Sequence, residues 1–311
     1  MSSTLLITGA TGFIGRALVA RHLREGGQVI ALSRDAARAQ QLLGQQVRML
    51  SRLDDLPDSA RIDACVHLAG ARVLGPPWSA ARRALLVQSR HGVAMALQAL
   101  LKRLHERPKV LVAASAIGYY GNPALAPAAA LDERGPPQPG QFQSDLCAGI
   151  ERDALAAEGL GLRVVCLRLG VVLGQGGGAY PAQALAARLG LGAVLGSGQQ
   201  ALAWLHLDDA VGLVQHALAT PALRGPVNAV APEVCSQAEF TRALAASFGR
   251  RAWLRVPAAA LRLSMGEMSE LLLGGVPLAP AAALQSGYRF RYPQLEGALA
   301  ALAAGAEPAP G

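Results

Sequence analysis

The stretch Thr8-Gly9-Ala10-Thr11-Gly12-Phe13-Ile14-Gly15 decides the fold of this chain. It has the spacing Gly-x-x-Gly-x-x-Gly, and it lies between a short apolar run at 4–8 and an amphipathic run at 13–25. A strand, a glycine-rich turn and a helix in this order are typical of a dinucleotide-binding βα unit. The first two glycines permit a tight turn and close approach of a phosphate, and the third permits close packing of helix against strand.

The helix after the turn is the part of this unit that we expect to hold a pyrophosphate. Backbone N–H groups at a helix N-terminus are unpaired and carry partial positive charge, which favours anions. A plain structural βα turn is the alternative interpretation, because glycine supplies 35 of the 311 residues. We predict a cofactor site formed by the turn residues Gly9, Thr11, Gly12, Phe13, Ile14 and Gly15.

The end of the second predicted strand indicates which dinucleotide binds. A β-branched, apolar run at 28–32 ends at Ser33 and Arg34. Proteins specific for NAD usually place Asp or Glu near this point to bind the ribose 2′-hydroxyl, whereas Arg favours the 2′-phosphate. The sequence therefore predicts NADP(H) as the cofactor, with Ser33 and Arg34 in its site. Two alternatives remain: Asp35 acts as the acid in a shifted register, or Arg34 is an ordinary solvated residue.

Strand and helix patterns alternate through residue 167 and define the fold class. They predict an α/β fold, a Rossmann doubly wound parallel sheet with a smaller C-terminal substrate lobe. We divide the chain into an NADP(H)-binding domain at 1–170, the substrate lobe at 171–297 and a tail at 298–311, which its Ala, Gly and Pro content predicts to be disordered. The predicted strands are 4–8, 28–32, 47–50, 64–68, 110–114 and 163–167, and the predicted helices are 13–25, 36–43, 79–105, 143–158, 208–219 and 237–248.

Composition restricts the classes of partner. The formal net charge is +8, but the arginines are scattered and aromatic residues are only 4% of the chain, which argues against a nucleic-acid site. No apolar run reaches the roughly 18 residues of a membrane span, and the N-terminus has no basic leader. We therefore expect a cytoplasmic protein whose partner is a small molecule, with no membrane partner. The four cysteines form no Cys-x-x-Cys pair, so we predict neither disulfides nor a metal site.

Several separated stretches, taken together, point to one family. They are 7–15, Leu68-Ala69-Gly70, Ser115-Ala116-Ile117-Gly118-Tyr119-Tyr120-Gly121, Ala203-Trp204-Leu205-His206-Leu207-Asp208-Asp209, Leu254-Arg255-Val256-Pro257, Met265-Gly266-Glu267 and Leu273-Gly274-Gly275. In these stretches, and over nearly its whole length, the chain resembles the atypical extended short-chain dehydrogenase/reductases labelled "epimerase family protein". The resemblance implies NADP(H) on a Rossmann domain, with Leu68, Ala69 and Gly70 at the cofactor site. It also implies a small C-terminal domain at about 253–297 and no settled substrate.

The catalytic pair of the parent superfamily is missing from the sequence. That superfamily uses Tyr-x-x-x-Lys, whose lysine lowers the pKa of the phenol so that tyrosine can act as a general acid or base. None of the five tyrosines here is followed four residues later by a lysine. Counting back from Glu151 places Gln143 at the tyrosine position and Cys147 at the lysine position.

Four residues are candidates for replacement chemistry: Ser115, Tyr119, Tyr120 and Cys147. A general acid or base must combine the right position with a matched pKa, and each candidate also has a second interpretation. Ser115 would bind the nicotinamide or ribose, and the two tyrosines would only wall the pocket. Cys147 would be a small buried apolar residue.

The segment His206-Leu207-Asp208-Asp209 also has two interpretations. A histidine close to two carboxylates is compatible with a metal site or a proton relay. We expect instead that His206 packs at the edge of the pocket and that Asp208 caps the helix that follows.

Two functions are compatible with these patterns. The leading prediction is an NADP(H)-dependent oxidoreductase or epimerase that acts on a small polar metabolite in the cleft between the lobes. The alternative is a non-catalytic protein that senses NADP(H), which the missing tyrosine and lysine make credible. Fold and cofactor site do not by themselves establish chemistry, so hydride transfer to an acceptor is the property that distinguishes the two.

Overall fold

The computed structural model of the protein describes residues 3–123 and 129–305. Its strands are β1 (Thr4–Thr8), β2 (Gln28–Leu32), β3 (Arg48–Leu50), β4 (Ala64–His67), β5 (Val110–Ala116), β6 (Arg163–Leu169), β7 (Val171–Leu173), β8 (Ala193–Leu195), β9 (Ala201–Leu202), β10 (Trp204–His206), β11 (Gly225–Ala229), β12 (Cys235–Ser236) and β13 (Leu254–Val256). Its helices are α1 (Phe13–Arg24), α2 (Ala36–Leu43), α3 (Ala80–Arg103), α4 (Phe142–Leu155), α5 (Tyr180–Arg188), α6 (Leu207–Ala219), α7 (Gln237–Ala246), α8 (Ala258–Met265), α9 (Glu270–Leu273), α10 (Ala281–Gln285) and α11 (Leu295–Ala303). Among these residues, no helix combines the length and apolar character needed to cross a bilayer.

Seven of the strands form one parallel sheet in the order β11-β6-β5-β4-β1-β2-β3. Because β1 lies between β2 and β4, the winding of the chain reverses beside it. Ligands of doubly wound sheets bind at the carboxyl ends of the strands at such a point, and the glycine turn follows β1 directly there. The predicted Rossmann fold is confirmed, and the sheet has a seventh strand, β11, that the sequence patterns did not predict.

Both faces of this sheet are covered, as a parallel sheet requires. Along β1, Leu5 and Ile7 pack on one side with residues of α1 and α6, while Leu6 packs on the other side with residues of α3. The buried residues therefore alternate between two apolar layers, which explains why β1 is apolar at every position except its ends. Helix α3 is capped at its N-terminus by Ser79, whose hydroxyl accepts a hydrogen bond from the N–H of Arg82.

The C-terminal lobe is built from short strand pairs and helices around an aromatic core. Strands β7 and β10, β8 and β13, and β9 and β12 form three two-stranded pairs. Helices α5, α7 and α11 contribute to a core with Trp204 and Phe240, which are 0% and 2% exposed. This arrangement matches the smaller lobe expected after residue 170, although the boundary between the two domains stays a prediction.

The predicted disorder of the tail is wrong for residues 298–305. Helix α11 extends to Ala303, and it buries Ala298, Leu299 and Leu302 in the core of the C-terminal lobe. Alanine is a strong helix former, and leucines three residues apart lie on one face of a helix, so this segment has a buried apolar stripe despite its simple composition. Residues 306–311, which the same prediction covered, lie outside the described residues.

The segment around Met268, which belongs to the C-terminal lobe, packs on the N-terminal domain. Met268 packs in a small core with Trp78, Leu86 and Leu146, which come from the loop before α3, from α3 itself and from α4. The ring of Trp78 lies edge-on to that of Phe142, with 4.9 Å between centroids. The C-terminal segment therefore packs on the loop before α3 and on helices α3 and α4.

Candidate functional site

The turn between β1 and α1 has the geometry that its glycines predict. Gly9 has φ of 76°, in the left-handed region, and a Cβ there would lie 2.6 Å from the carbonyl carbon of Leu68. The N–H of Gly12 donates to the carbonyl oxygen of Gly9 at 2.9 Å and closes the turn. A Cβ on Gly15 would collide with that same oxygen. Gly9 and Gly15 are therefore required by close approach of backbone to backbone.

The amino end of α1 opens on a cavity of about 860 Å³. Gly12 is the residue before the helix, with φ of −72°, and no side chain caps the helix there. The first N–H groups of α1 are therefore available to an anion, and the glycine backbone leaves room for it. This arrangement fits the diphosphate of a dinucleotide. Eight of the predicted cofactor residues line the cavity: Gly9, Thr11, Gly12, Ser33, Arg34, Leu68, Ala69 and Gly70.

The side chains of Phe13 and Ile14, which sequence reasoning also assigned to the cofactor, are used for packing. Ile14 packs against the apolar core beside the sheet. The ring of Phe13 is enclosed by residues 174–178, here called the glycine loop, where a Cβ on Gly177 would lie 2.9 Å from the ring. The Arg16 guanidinium also holds this loop, donating to the Gly176 carbonyl oxygen at 2.8 Å. Phe13 and Ile14 can therefore serve a ligand through their backbone N–H groups only.

The far end of the cavity carries two exposed cations. Arg34 lies next to Ser33, as expected, and Arg38 lines the same cavity one helical turn later. The Asp35 carboxylate accepts from the Arg38 N–H at 3.0 Å and caps α2. Because Asp35 is engaged in this cap, the geometry favours Arg34 over the alternative of a shifted acid. Sequence reasoning missed Arg38, which lies in the first turn of the predicted helix at 36–43, four residues after Arg34.

A buried histidine lies directly behind the turn. The His67 side chain is 4% exposed, and its Nδ1 lies 2.6 Å from the Thr8 hydroxyl, which joins the ends of β4 and β1. Burial lowers the pKa of His67 to about 4, so the ring is neutral at physiological pH. Sequence reasoning missed this contact, because two short apolar strands give no sign of which residues end side by side.

Ser115 belongs to a buried ionic cluster at the end of β5. Its hydroxyl donates to the Glu151 carboxylate at 2.8 Å, and the same carboxylate accepts two hydrogen bonds from Arg168, at 2.8 and 2.9 Å. All three side chains are 5% exposed or less. Burial alone would lower the pKa of Arg168, but the hydrogen bonds and charge of Glu151 outweigh it and raise that pKa. The proton of the Ser115 hydroxyl is therefore committed to Glu151.

Tyr120 lies in the core, and not in the wall of a pocket as one interpretation held. Its side chain is 1% exposed, and its hydroxyl donates to the Asn228 side-chain oxygen at 2.6 Å while it accepts from Arg168 at 2.8 Å. Burial raises the pKa of Tyr120, although the Arg168 guanidinium opposes this effect. Tyr120 is therefore not placed to act as a general acid, which corrects the sequence-based prediction. Its hydroxyl joins β6 to β11 and has no exposed surface through which to meet a substrate.

The remaining two candidates differ in their surroundings. Tyr119 is half-buried, and its ring lies against the Arg168 guanidinium, whose carbon is 3.5 Å from the ring centroid. Cys147 is 5% exposed on α4, where burial and the charge of Glu151 raise the pKa of the thiol to about 11. A neutral, buried thiol is a poor nucleophile, which supports the interpretation of Cys147 as a small buried apolar residue. Gln143, four residues earlier, is also buried.

The segment at His206 corrects one expectation. The cap of α6 is His206 itself, whose Nδ1 accepts from the Asp208 N–H at 3.1 Å, and not Asp208. Asp209 is fully buried, and its carboxylate accepts from the N–H groups of Arg291 and Tyr292. These hydrogen bonds give both His206 and Asp209 a structural role. Within the two described ranges, no group of three or more His, Cys, Asp and Glu side chains is placed to hold a metal ion.

Amide side chains meet where the C-terminal segment contacts the N-terminal domain. The N–H of Asn122 donates to the Gln141 side-chain oxygen at 2.7 Å, and the Gln141 amide nitrogen donates back to the Asn122 carbonyl at 2.9 Å. Gln143 adds a further bond to Gln141, and Asn122 also donates to the carbonyl oxygen of Glu270. At the start of α4 these amides therefore hydrogen-bond to one another and tie the loop at Asn122 to the C-terminal segment.

Two family models match the chain. Residues 5–229 match the NAD dependent epimerase/dehydratase family, and residues 256–302 match a domain family of unknown function. The first match contains the glycine turn, the main sheet and the ionic cluster. The second contains α8, α9, α10 and most of α11, so the C-terminal segment that packs on Trp78 corresponds to a separately recognised domain.

Known proteins are similar over almost the whole chain. The epimerase family protein SDR39U1 of Bos taurus is 36% identical, over 95% of this chain and 98% of its own length. The epimerase family protein YfhF of Bacillus subtilis is 33% identical, over 96% of this chain and 98% of its own. The crystal structure of human SDR39U1 (isoform2) with NADPH superimposes with a TM-score of 0.85 at 32% identity, covering 97% of this chain and 99% of that one.

Proposed function

This chain belongs to the NAD dependent epimerase/dehydratase family, and we propose that within it the protein is an NADP(H)-dependent oxidoreductase acting on a small polar metabolite. The observation that carries the proposal is the cavity at the amino end of α1, where the glycine turn and Arg34 face one space. The glycine turn supplies N–H groups for the diphosphate, and Arg34, with Arg38 beside it, supplies cations for a 2′-phosphate. The human relative, crystallised with NADPH, supports the same choice of cofactor.

The proposed substrate is polar because of the groups at the cleft. Asn122, Gln141 and Gln143 form a network of amides between α4 and the C-terminal segment. These amides pair with one another, so a substrate hydroxyl or carbonyl group could replace such a bond, whereas an apolar group in its place would leave an amide unpaired at a cost in free energy. NADP(H), when bound, supplies or accepts a hydride.

Tyr119 is the residue that we propose to exchange a proton with the substrate. Of the four sequence candidates, Ser115 and Tyr120 are engaged in the buried cluster and Cys147 is a buried neutral thiol. Tyr119 is only half-buried, so it alone of the four can meet a substrate, and the Arg168 guanidinium 3.5 Å from its ring centroid holds the ring in position. Tyr119→Phe should lower kcat while the affinity for NADPH stays unchanged, and Tyr119→Phe with full activity would remove this assignment.

A non-catalytic sensor of NADP(H) is the second candidate, favoured by the buried Gln143 and Cys147 at the positions of the superfamily's tyrosine and lysine. The two functions differ in hydride transfer. NADPH labelled with deuterium at the transferable position would be incubated with panels of carbonyl compounds and nucleotide sugars, with Gly12→Val as the control that lacks the cofactor site. Label in a product supports the oxidoreductase. Tight NADPH binding without transfer to any acceptor, or back from one, supports the sensor.

A further inference from the structure

Two neighbouring turns of the C-terminal lobe form an exposed projection. One turn, 188–192, follows α5, and the other, 249–253, leads from α7 into β13; together they are here called the basic tip. The Arg250 Nε donates to the Arg188 carbonyl oxygen at 3.1 Å. Beside them β8 and β13 run in parallel, with Leu254 opposite Ala193. The two turns are therefore held side by side, and their side chains form one surface.

Large apolar side chains at the basic tip are open to solvent. Trp253 is 74% exposed, Leu189 is 64% exposed and Leu191 is 55% exposed. The other two tryptophans of the chain, Trp78 and Trp204, are 7% and 0% exposed. A monomeric soluble protein seldom leaves several such side chains together in water, so this cluster indicates an interaction surface.

The charge of the same region has one sign. Residues 184–203 and 240–261 contain no Asp or Glu, and their basic residues are Arg188, Arg242, Arg250, Arg251 and Arg255. Among residues 3–123 and 129–305, no ion pair involves any of these five arginines. Glu239, just outside these ranges, lies close enough to Arg242 to interact with its charge, but the guanidinium groups of Arg188, Arg250, Arg251 and Arg255 have no such partner among the described residues, and an anionic surface would complement them.

We propose that the basic tip docks on the surface of an anionic phospholipid bilayer, in place of the expectation of no membrane partner, which rested on the absence of a membrane-spanning run and of a basic leader and did not consider surface contacts. An indole ring and leucines at the ends of turns can enter the interfacial layer, where tryptophan is favoured because its ring is apolar and its N–H is polar. Arginines around them attract the negative headgroups over about one Debye length. The two contributions act together, since neither a few apolar side chains nor a few cations alone gives stable attachment.

Other occupants fit the basic tip less well. A second copy of the chain in a two-fold contact would set arginines against arginines without any carboxylate between them. An acidic protein would satisfy the charges, but it would need a concave apolar surface to receive Trp253, Leu189 and Leu191, which project from two turns. A bilayer surface receives projecting apolar groups without any matching shape.

The intrinsic fluorescence of Trp253 provides the test, because Trp78 and Trp204 are already buried. The full-length protein would be titrated with vesicles of phosphatidylcholine containing about 30 mol % phosphatidylglycerol, and with vesicles of phosphatidylcholine alone. We expect a blue shift and co-sedimentation with the anionic vesicles, reversed at about 0.5 M salt. Trp253→Phe should lose the shift, and Arg250→Glu/Arg251→Glu should weaken vesicle binding at least about 30-fold, at roughly a tenfold loss per 1.4 kcal/mol and about 1 kcal/mol per charge.

A matched variant tests whether vesicle binding depends on charges at the basic tip or only on the net charge of the chain. Arg48→Glu/Arg61→Glu changes the charge of the chain by the same amount at two exposed arginines in the N-terminal domain, and it should bind vesicles like the unaltered protein. All variants should retain NADPH affinity, because the cofactor cavity is built from the other domain. The proposal is overturned if neither vesicle shifts the Trp253 emission, or if both charge variants lose binding equally. It is also overturned if soluble polyglutamate binds but anionic vesicles do not, or if the shift appears without lipid as the protein is concentrated.

Discussion

At the rim of the cofactor cavity, the guanidinium group of Arg34 is exposed beside Ser33. A charged hydrogen bond to a 2′-phosphate contributes about 1.5 to 3 kcal/mol, so Arg34→Ala should weaken NADPH binding roughly ten- to a hundredfold. NADH, which lacks that phosphate, should bind the variant and the unaltered protein alike. Calorimetric titration with both dinucleotides measures the difference.

The control for Arg34 is another exposed arginine, Arg61, which precedes β4. Arg61→Ala removes the same charge and should leave both affinities unchanged. Equal affinity of the unaltered protein for NADPH and NADH would show that Arg34 does not read the phosphate.

Gly12 should tolerate a side chain in the fold but not in the cofactor complex. Its φ of −72° is open to any residue, and the nearest atom to an added Cβ is the Gly9 oxygen at 3.1 Å. Gly12→Val should therefore still fold, with nearly unchanged circular dichroism and a lower unfolding midpoint because of this close contact, and fail to bind NADPH because its side chain stands before the helix amides. Gly15→Val should instead fail to fold, since its Cβ would meet backbone. A Gly12→Val protein with full NADPH affinity would remove the turn from the site.

Single residues show what sequence alone could reveal about the site. The glycine turn and Arg34 could be predicted because each is local: the turn requires glycine at fixed spacing, and the cation follows a strand. Ser115 and Tyr120 could not be separated from Tyr119, because the partners that engage them, Glu151, Arg168 and Asn228, come from other elements far along the chain.

Between elements, the Glu151–Arg168 pair fastens α4 to β6. Breaking a buried ion pair leaves one charge without a partner in a medium that solvates it poorly, which typically costs about 3 to 5 kcal/mol. Arg168→Met should lower the free energy of unfolding by about that amount in urea titration. Adding Glu151→Gln to it should cost less than the sum of the single changes. Arg52→Met, in the exposed pair with Asp54, should leave the urea midpoint almost unchanged.

The contact between β1 and β4 gives the protein a pH dependence. In the folded state burial lowers the pKa of His67 to about 4, below the ordinary value of about 6.5, so the unfolded chain binds the proton more readily between these limits. The stability that His67 contributes is therefore complete above pH 6.5 and declines as the pH falls towards 4, by on the order of 3 kcal/mol.

Unfolding free energies measured at several pH values would test this slope. His67→Asn, which keeps a polar partner for Thr8 but does not titrate, should have a shallower decline below pH 6.5. His105→Asn, at an exposed position, should keep the slope of the unaltered protein. The same slope in both variants would assign the effect to another group.

Element prediction was accurate where periodicity was strong and failed where composition was ambiguous. Strands β1 to β6 are apolar runs between turn residues, and their positions match the predicted ones closely. Strand β11 begins with Gly225-Pro226 and contains Asn228, so its pattern resembles a loop until the Tyr120 and Glu133 side chains that bind Asn228 are known. Helix α11 differs from the predicted disordered tail, because a segment rich in Ala is compatible both with disorder and with a helix that buries one face.

Across the whole molecule, α11 completes the core of the C-terminal lobe. Leu299 is 1% exposed there, packed among residues of several elements that include Trp204 and Phe240. Leu299→Ala should lower the free energy of unfolding by about 2 to 5 kcal/mol, because it leaves a cavity in a closed core. Leu284→Ala, at a side chain that is 50% exposed, should change it by less than about 1 kcal/mol. If Leu299→Ala lowered the free energy of unfolding no more than Leu284→Ala does, the prediction of a disordered tail would be restored.

The contact between the glycine loop and Phe13 restricts where genes of this family can recombine. Arg16 and Gly176 touch although they lie 160 residues apart, and the ring of Phe13 fills a space that added side chains at Gly174, Gly177 or Gly178 would occupy. A recombinant gene that joined two relatives near residue 170 would respect the expected domain boundary yet separate the ring from the loop shaped to receive it. Crossovers before residue 13 or after residue 178 would keep both with one parent. Viable hybrids of this family should therefore cluster at those outer positions, and exchanges at the boundary should survive only between parents with matching residues at 13, 174, 177 and 178.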